Sequence, residues 1–361
     1  MKIGILTYHR SHNYGALLQA IALRKILIDR GHEVFYIDYL SEYHLSMYEM
    51  FDKLTFRKSN IVKKIYMLLV TLLNYKEKKK RRENFLKFIN KYITPYCVSY
   101  NVSPQYDLMI YGSDQIWRKQ KYPNNQFDPV FFGQNIVNTK SHASYAASMG
   151  KIMLNNDDKF FLKKTLSKFK GISVREEDLR EVLLSLDVNA VKTLDPTLMI
   201  SSNTWDKLIP TQPMHKKKYV LLYELIDGSF DRTQIKKFAQ ERDCDLIVVE
   251  GYPRLIKRVS YYSPDQFLSL IKNAEFVFTT SYHGLCFSII YEKPFYTSFR
   301  EGSERAKSLL ETLGIEDRLL PRMSRLPTIT PAIDYNVIRQ KLNKQEKYTN
   351  DYLDFVTQVT Q

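Results

Sequence analysis

The residues best suited to chemistry lie within residues 279–295, which read TTSYHGLCFSIIYEKPF. Here His283 and Gly284 stand where one apolar run, EFVFTT, gives way to another, LCFSII. This pattern predicts a buried strand that turns into a helix, with His283 at the switch, where doubly wound folds place their ligands. Histidine titrates near neutral pH and serves as a general acid or base. A core or capping histidine is the competing interpretation, and position alone favours it slightly.

Arg175 is a second candidate, because it ends the apolar strand predicted in GISVREED. A guanidinium group binds phosphate or carboxylate in a fork geometry, so the residue could clamp an anion. The alternative is an ion pair with the acidic turn that follows, through Glu176, Glu177 or Asp178. His142, in KSHASYAASMG, is a third and weaker candidate.

Small polar residues or glycine stand at three predicted strand-to-helix turns. They are Asn13 and Gly15, then Gly112, Ser113 and Asp114, and finally His283 and Gly284. Backbone N–H groups at a helix start attract anions, and glycine lets a ligand approach the backbone closely. Each turn taken alone also fits a plain helix cap.

Several well-known motifs are missing from the sequence, which contains no GxGxxG, Walker A, HExxH, CxxC or GxSxG pattern. Dinucleotide or ATP binding therefore gains no support. The missing ligand spacings predict no metal site, and the missing nucleophile motif disfavours acyl-transfer hydrolysis.

The elements that must position these residues alternate between strand and helix. The first half runs from the strand KIGILTY and the helix NYGALLQAIALRKILIDRG to AVKTLDPTL. The second half runs from KYVLLYEL through EFVFTT to PFYTSF. Such alternation predicts parallel sheets covered by helices. We therefore predict an α/β fold of two Rossmann-like doubly wound domains that face a cleft, with ligand at the carboxyl ends of the strands.

The predicted domain boundaries follow from length and from the connection LIPTQPMHKKK. The chain of 361 residues is too long for one ordinary core. Residues 1–205 are predicted to form an N-terminal domain with a basic amphipathic helical insertion at about 45–92. Residues 206–330 form the C-terminal domain, and 331–361 a C-terminal helix.

Composition indicates a soluble globular protein, with 44% hydrophobic and 26% charged residues. The three cysteines are scattered, which favours a reducing compartment. The N-terminus reads as a first strand rather than a signal peptide, and no apolar stretch reaches the roughly 20 residues that span a bilayer. These features predict a cytoplasmic protein.

The net charge of +15 is concentrated in one segment. Residues 53–91 hold 13 Lys or Arg against two Glu, and they interleave this charge with the apolar stretch IYMLLVTLLNY. One interpretation is an interfacial helix on the inner, anionic face of the cell membrane. A solvated helical face around a buried stripe has equal weight. Nucleic acid is disfavoured, because stacking aromatics are few and an apolar stripe has no role there.

Seven segments together resemble the polysaccharide pyruvyl transferase family, in the family's order and over most of the chain. They are HNYGALLQAIAL, YDLMIYGSDQIW, SYAASMG, ISVREEDLREVL, LDPTLM, SYHGLCFSIIYEKPF and SERAKSLLETLGIEDRL. The resemblance implies a GT-B-like architecture. It also implies transfer of pyruvate from phosphoenolpyruvate to a sugar, as a ketal, with no further cofactor. Acceptors in the family belong to cell-surface glycans such as capsule or exopolysaccharide, often carried on a polyprenyl-phosphate lipid.

The resemblance also assigns roles to residues. It implies that His283 and Arg175 are the catalytic positions, since they match the family's histidine and arginine motifs. Together with the predicted turns it gives a substrate-binding set: Asn13, Gly15, Ser113, Asp114, His142, Ser148, Ser281, Gly284 and Arg305.

This sequence departs from the family pattern at two positions. Ser281 stands where some members carry an arginine, so Arg305, Lys293 or Arg254 would have to supply the missing cation. Ala16 stands where many members carry an aspartate, which leaves the role of that carboxylate in doubt. A nucleotide-sugar-dependent glycosyltransferase on the same architecture is the alternative function. It is disfavoured by the lack of a carboxylate pair and of a nucleotide fingerprint.

Overall fold

The computed structural model describes residues 1–41, 49–100, 105–120, 125–134, 139–225, 228–251, 259–299, 304–328 and 330–358 of the chain. All structural statements concern these residues. Arg254, one of the cations considered at the sequence level, lies outside them.

Seven parallel strands form the first sheet, in the spatial order β3-β2-β1-β4-β5-β6-β7. Their bounds are Lys2–Leu6 (β1), Glu33–Asp38 (β2), Cys97–Ser99 (β3), Leu108–Asp114 (β4), His142–Ala147 (β5), Ser173–Val174 (β6) and Val191–Lys192 (β7). The central strands β1, β4 and β5 are almost wholly buried, as their apolar runs require of strands covered on both faces. Because all seven run in parallel, their carboxyl ends share one edge of the sheet.

Four parallel strands form the second sheet, in the order β11-β10-β8-β9. Their bounds are Tyr219–Glu224 (β8), Asp245–Glu250 (β9), Phe276–Thr279 (β10) and Phe295–Thr297 (β11). In both sheets the strand order reverses around the first strand, which is the doubly wound arrangement. The predicted fold class of two Rossmann-like sheets is confirmed.

Twelve α-helices connect and cover the strands of the described residues. They are Tyr14–Asp29 (α1), Lys53–Arg57 (α2), Ile61–Leu73 (α3), Tyr75–Tyr92 (α4), Asn156–Leu166 (α5), Glu177–Ser185 (α6), Ser202–Leu208 (α7), Arg232–Gln240 (α8), Pro264–Lys272 (α9), Tyr282–Ile290 (α10), Glu304–Leu313 (α11) and Tyr335–Thr357 (α12). The C-terminal helix α12 returns to the first sheet, where the Tyr352 hydroxyl donates to the Ser144 carbonyl. None of these helices is long and apolar enough to cross a membrane.

One apolar core joins the two sheets. Tyr14, from the start of α1, stacks on Phe267 of α9 with 4.4 Å between ring centroids. Tyr223 of β8 meets the same Phe267 ring edge-on at 4.7 Å. This contact sets the spacing between the carboxyl edge of the first sheet and the helices of the second, and so shapes the cleft between them.

The described part of the basic insertion is helical and holds three helices, α2, α3 and α4. Helices α3 and α4 are divided at Asn74. The Asn74 side chain donates to the Val70 carbonyl and accepts from the Val259 N–H. These hydrogen bonds stabilise the junction between the two helices. A buried apolar stripe was one interpretation of this segment, but Val70 is the only buried residue of α3 among those described. That interpretation is wrong for α3.

Candidate active site

Charged side chains from both halves of the chain meet at the cleft. Asp114 ends β4, and Arg175 and Asp195 follow β6 and β7 at the carboxyl edge of the first sheet. His283 lies in the first turn of α10, and Arg305 lies on α11. Parallel strands deliver residues distant in sequence to one edge, and this edge is where doubly wound folds bind ligands.

Arg175 and Asp195 form the centre of the cluster. Nη1 of Arg175 lies 2.5 Å from Oδ2 of Asp195, and the two side chains are 1% and 0% exposed. Nη2 of Arg175 lies 3.4 Å from Oδ1 of Asp114. The ion pair expected with the neighbouring acidic turn is therefore not the one formed, because Arg175 pairs with carboxylates from β4 and the end of β7.

Asp195 is held in its ionised form. Burial alone would raise its pKa, but the charges of His283 and Arg175 outweigh burial and hold the pKa far below its usual value. Its Oδ1 accepts hydrogen bonds from the backbone N–H and the hydroxyl of Thr197, at 3.0 and 2.6 Å. Its Oδ2 faces the Ser113 hydroxyl at 3.5 Å. A fixed negative charge therefore lies beside Arg175 and the His283 ring.

The His283 ring is positioned by shape. A Cβ atom added to Gly15 would lie 2.0 Å from Nδ1 of His283, so only glycine leaves room for the imidazole. Nε2 lies 3.5 Å from Oδ2 of Asp195 and makes no hydrogen bond among the described residues. The side chain is 7% exposed. A buried ring nitrogen without a hydrogen bond is available for proton transfer.

Two guanidinium groups share one aromatic ring. The Cζ atoms of Arg175 and Arg305 lie over the ring of Tyr282, at 4.9 and 5.0 Å from its centroid. Nη1 of Arg305 lies 3.8 Å from Oδ1 of Asp114, and its Nε has no hydrogen-bond partner among the described residues. Burial and the nearby charge of Arg175 lower the pKa of Arg305. The Nε of Arg175 likewise has no hydrogen-bond partner among the described residues. Two close cations with unused donors favour an anionic ligand.

Glu176 adds a second buried carboxyl group. Its Oε1 accepts from the Ser148 hydroxyl at 2.7 Å and from the Met149 N–H at 3.1 Å. Its Oε2 is buried and has no partner among the described residues. Burial raises the pKa of Glu176, although the charges of Arg175 and Arg305 oppose this effect. The cleft thus combines one carboxyl group whose pKa is lowered with one whose pKa is raised.

A small pocket borders this cluster. It is partly open to solvent, measures about 310 Å³ with that open space included, and is lined in part by Arg175, Asp195 and Tyr282. Its far wall includes Lys192, whose Nζ donates to the hydroxyls of Ser308 and Thr312 at 3.2 Å. Of the clustered side chains, Arg175 and Asp195 therefore border open space.

The family described as polysaccharide pyruvyl transferase matches residues 13–298, which is most of the chain. This chain belongs to the polysaccharide pyruvyl transferase family. The match spans both sheets and includes Arg175, Asp195 and His283. None of the curated proteins matches the chain in sequence.

Solved structures of similar fold include two UDP-N-acetylglucosamine 2-epimerases. The one from Methanocaldococcus jannaschii is 15% identical, with a TM-score of 0.47, and the alignment covers 96% of this chain and 92% of that one. The one from Neisseria meningitidis, bound to UDP-GlcNAc, is 10% identical, with a TM-score of 0.42 and coverage of 100% and 95%.

Several of the predicted binding residues of this family member have structural roles in the cleft wall. Asn13 caps α1 by accepting from the Ala16 N–H at 3.2 Å. Ser281 caps α10 by accepting from the Gly284 N–H at 3.3 Å. A Cβ atom on Gly284 would lie 2.2 Å from Oγ1 of Thr279, so packing already accounts for this glycine. Their contact with substrate stays a prediction.

Two predicted candidates do not lie in the cleft. His142 begins β5, at the opposite edge of the sheet, where its Nδ1 hydrogen-bonds to the Tyr111 hydroxyl at 2.7 Å. Burial lowers the pKa of His142. Lys293 precedes β11, at the amino edge of the second sheet. The structure therefore leaves Arg305 as the cation, of those considered and described, that joins Arg175.

Asp195, Tyr282 and Glu176 were not predicted as functional residues, and Glu176 was considered only as an ion-pair partner of Arg175. Asp195 lies in the segment LDPTLM, which the family resemblance had already singled out, directly before a proline after a short strand. Tyr282 and Glu176 are the immediate neighbours of His283 and Arg175. The family segment was the available signal for Asp195, and proximity to the two catalytic candidates was the signal for Tyr282 and Glu176.

One further group of side chains could hold a metal ion among the described residues, namely His9, Asp38 and Cys97. Nε and Nη2 of Arg10 already donate to the two Asp38 oxygens, at 2.9 and 2.7 Å. Burial raises the pKa of Cys97 to about 12, which keeps the thiol protonated. A thiol binds metal as its thiolate, so these residues suit an ion-pair network better than a metal site.

Proposed function

We propose that the protein transfers the pyruvyl group of phosphoenolpyruvate to a sugar of a cell-surface polysaccharide precursor, forming a pyruvate ketal. The observation that carries this proposal is the convergence of two guanidinium groups, Arg175 and Arg305, beside His283 in a buried cleft of a pyruvyl transferase family member. The donor carries a phosphate and a carboxylate. Two arginines can bind both the planar carboxylate and the tetrahedral phosphate, whereas a single arginine can bind only one of them in fork geometry.

Arg305 is proposed to replace the arginine that some family members carry at the position of Ser281. It reaches the cleft from α11, and its guanidinium group lies over the same Tyr282 ring as that of Arg175. The second cation is thus supplied from a different element of the fold. Asp114, which contacts both arginines, would keep them apart and oriented before the donor binds.

The proposed reaction begins with transfer of a proton to the methylene carbon of the donor, which leaves positive charge at the adjacent carbon. A sugar hydroxyl attacks that carbon and gives up its proton. The bond from this carbon to the phosphate-bearing oxygen then breaks, and inorganic phosphate leaves. A second hydroxyl closes the ketal. Of the two hydroxyl protons released, one balances the proton now on the methyl carbon and the other leaves on phosphate.

His283 is the proposed proton carrier. Its Nε2 is buried and lacks a hydrogen bond, and the ionised Asp195 lies beside it as the partner of an imidazolium. Asp195 is a positioning residue in this scheme, because it contacts Arg175 and His283 rather than the reacting atoms. Glu176, whose pKa is raised by burial, is a second group able to hold a proton.

The proposed acceptor is a sugar on a polyprenyl-phosphate lipid, which would place the reaction at the inner face of the cell membrane. The chain requires no further cofactor and no metal in this scheme. The donor itself supplies the leaving phosphate, and histidine and arginine supply acid, base and charge.

The test is incubation of the purified protein with phosphoenolpyruvate and a panel of lipid-linked and free sugars. We expect phosphate release matched by the mass gain of one pyruvate ketal on the acceptor. His283→Gln should lower turnover about 10²-fold or more, whereas His215→Gln, in the exposed connection, should leave it unchanged. Arg305→Gln should raise the KM for the donor about tenfold, the effect of a lost charge-assisted hydrogen bond.

The proposal fails if no acceptor gains mass and no phosphate is released across this panel. Stabilisation of the protein by nucleoside diphosphates, with none by phosphoenolpyruvate, would instead favour the nucleotide-sugar glycosyltransferase. If His283→Gln is folded and fully active, His283 has no part in the mechanism, although the transferase activity itself would stand.

A further inference from the structure

Helix α3 exposes the apolar side chains that helices normally bury. Leu72 is 74% exposed, Val62 72% and Ile61 68%. The other large apolar side chains of this exposed set are Ile65, Tyr66, Leu68, Leu69 and Leu73. Eight exposed apolar residues on one helix make a continuous patch, and patches of this kind mark interaction sites. We call these eight residues the α3 patch.

The orientation of α3 is fixed by its other face. Lys64, Met67, Val70 and Thr71 are the less exposed residues of the helix, and they recur at intervals of three or four. The helix therefore rests on the protein along this narrow stripe, and the α3 patch faces outward. The patch is therefore exposed because of the side on which α3 packs against the protein, and not because the ends of the helix are frayed.

Basic residues surround the α3 patch. Lys63 lies within α3, and Lys76, Lys79 and Lys80 lie in the first turns of α4, all exposed. Residues 53–91 carry 13 Lys or Arg and two Glu, so 13 − 2 gives a net charge of +11. A second copy of this chain seated on the patch would bring two such charges together. Self-association is therefore disfavoured by repulsion.

We propose that the α3 patch and its basic border dock the protein on an anionic lipid bilayer. A bilayer interface buries aliphatic side chains while its lipid headgroups attract lysine and arginine, and the segment offers both. Nucleic acid would meet the charge but leave the aliphatic residues in water. The inference rests on exposure and charge alone, so it holds independently of pyruvyl transfer.

The docking surface is tied rigidly to the cleft. Nη1 of Arg81, on α4, donates to the Tyr14 hydroxyl at 3.1 Å and to the Ser260 carbonyl at 2.7 Å. Nδ2 of Asn84 donates to the Tyr261 carbonyl at 2.6 Å. Tyr14 precedes Gly15, which packs on His283. A protein held to a bilayer by α3 would therefore present its cleft at a fixed orientation to that surface.

Flotation of the full-length protein with vesicles tests this inference without donor or acceptor. We expect binding to phosphatidylcholine vesicles that contain phosphatidylglycerol, and little binding to phosphatidylcholine alone. The variants Ile65→Gln with Leu72→Gln and Lys76→Glu with Lys79→Glu should each lower the partition coefficient at least about tenfold. Binding by the wild type should also weaken as salt is raised.

Two matched controls separate a local docking surface from general stickiness. Phe160→Gln removes an equally exposed apolar residue, 68% exposed, from α5. Lys216→Glu with Lys217→Glu makes the same charge change in the exposed connection between the sheets. Both should bind vesicles like the wild type, and circular dichroism should show that every variant is folded.

The inference is overturned if the wild type fails to float with anionic vesicles, or if the apolar variant floats as well as the wild type. A dimer in light scattering that the apolar variant abolishes would assign the patch to a second copy instead. If the lysine variant and its control lose vesicle binding equally, binding depends on the net charge of the protein and not on a local site. That result would also overturn the inference.

Discussion

The cleft and helix α3 both depart from the usual rule that charged side chains are exposed and aliphatic side chains are buried. The cleft buries charge, and α3 exposes aliphatic residues. In the cleft, Arg175 and Asp195 place full charges where the side chains are 1% and 0% exposed. On α3, Leu72 places an aliphatic side chain where it is 74% exposed. Burying charge costs free energy, and leaving aliphatic surface in water forgoes the stabilisation of burial. Neither arrangement is what stability alone would select.

The two regions differ in whether the chain itself compensates for the inversion. In the cleft, Asp195 contacts Arg175 and Thr197, so most of its charge is satisfied within the protein. On α3 no described element covers the patch. A site whose charged groups are mostly paired within the protein suits a small ligand that binds the few polar atoms left without partners. A surface left uncovered suits a partner as extended as a membrane.

The largest expected effect comes from breaking the compensation in the cleft. Asp195→Asn should lower the free energy of unfolding by about 3 to 5 kcal/mol, because it leaves Arg175 and His283 buried beside a neutral group. Urea denaturation measures this loss. Asp187→Asn removes a carboxylate that is 84% exposed and pairs with Lys163, and it should leave the free energy of unfolding close to that of the wild type. Equal stability of Asp195→Asn and the wild type would show that the cleft charges are not compensated as argued.

The next effect concerns His12, at the joint between the two regions, where the Arg81 guanidinium donates to its carbonyl. Burial, with the charges of Arg81 and Arg82, lowers the pKa of His12 from 6.5 to about 4. As the pH falls, His12 therefore becomes protonated at a lower pH in the folded state than in the unfolded state. Stability from this group is complete above the unfolded pKa of 6.5 and is lost as the pH falls towards 4.

The loss should reach at most about 3 kcal/mol, since each pKa unit is worth about 1.4 kcal/mol. Urea denaturation at neutral and at mildly acidic pH, within this window, measures it. His12→Asn should lose less stability than the wild type across the window, whereas His215→Gln should behave like the wild type because His215 is exposed. If His12→Asn and the wild type lose stability in parallel, the joint is not buried as described.

Most of the fold was predictable from the sequence, because it depends on local pattern. Segments such as YDLMIYGSD and EFVFTT are short apolar runs bounded by polar residues, and the structure places β4 and β10 there. Helix α10 likewise begins at Tyr282, beside the predicted switch. Local pattern did not predict which side of α3 is exposed, because that depends on how the rest of the chain packs against the helix.

The candidate site was less predictable, because its contacts join distant segments. The pair of Arg175 and Asp195 spans 20 residues, and Arg305 meets Asp114 from the other half of the chain. Nothing in the local sequence of Asp195 distinguishes it from a capping aspartate, and it does cap the turn Pro196–Met199. His142 lies away from the cluster, at the start of β5, because no local pattern indicates which end of a strand a residue near its boundary will occupy.

A smaller effect on stability, with a larger one on activity, should follow Gly15→Ala. The added methyl group would meet the His283 ring and displace it, which should cost about 1 to 3 kcal/mol and lower turnover at least about tenfold. Gly4→Ala is the matched control, because its methyl group would meet Met109 in the core, away from the cleft. That variant should lose stability without losing turnover per folded molecule. Unchanged turnover in Gly15→Ala would mean that the ring position does not matter.

The smallest expected effect is on the stability of the α3 patch. Ile65→Gln with Leu72→Gln should change the free energy of unfolding by no more than about 0.5 kcal/mol, because exposed substitutions that touch no special feature rarely do more. Urea denaturation in the absence of lipid measures it, with Leu162→Gln, a fully buried residue of α5, as the destabilised reference. A loss approaching that of the reference would mean that the chain itself covers the patch, and the contrast between the two regions would disappear. A negligible loss would leave the aliphatic side chains without any role in folding, which is the condition that a docking surface must meet.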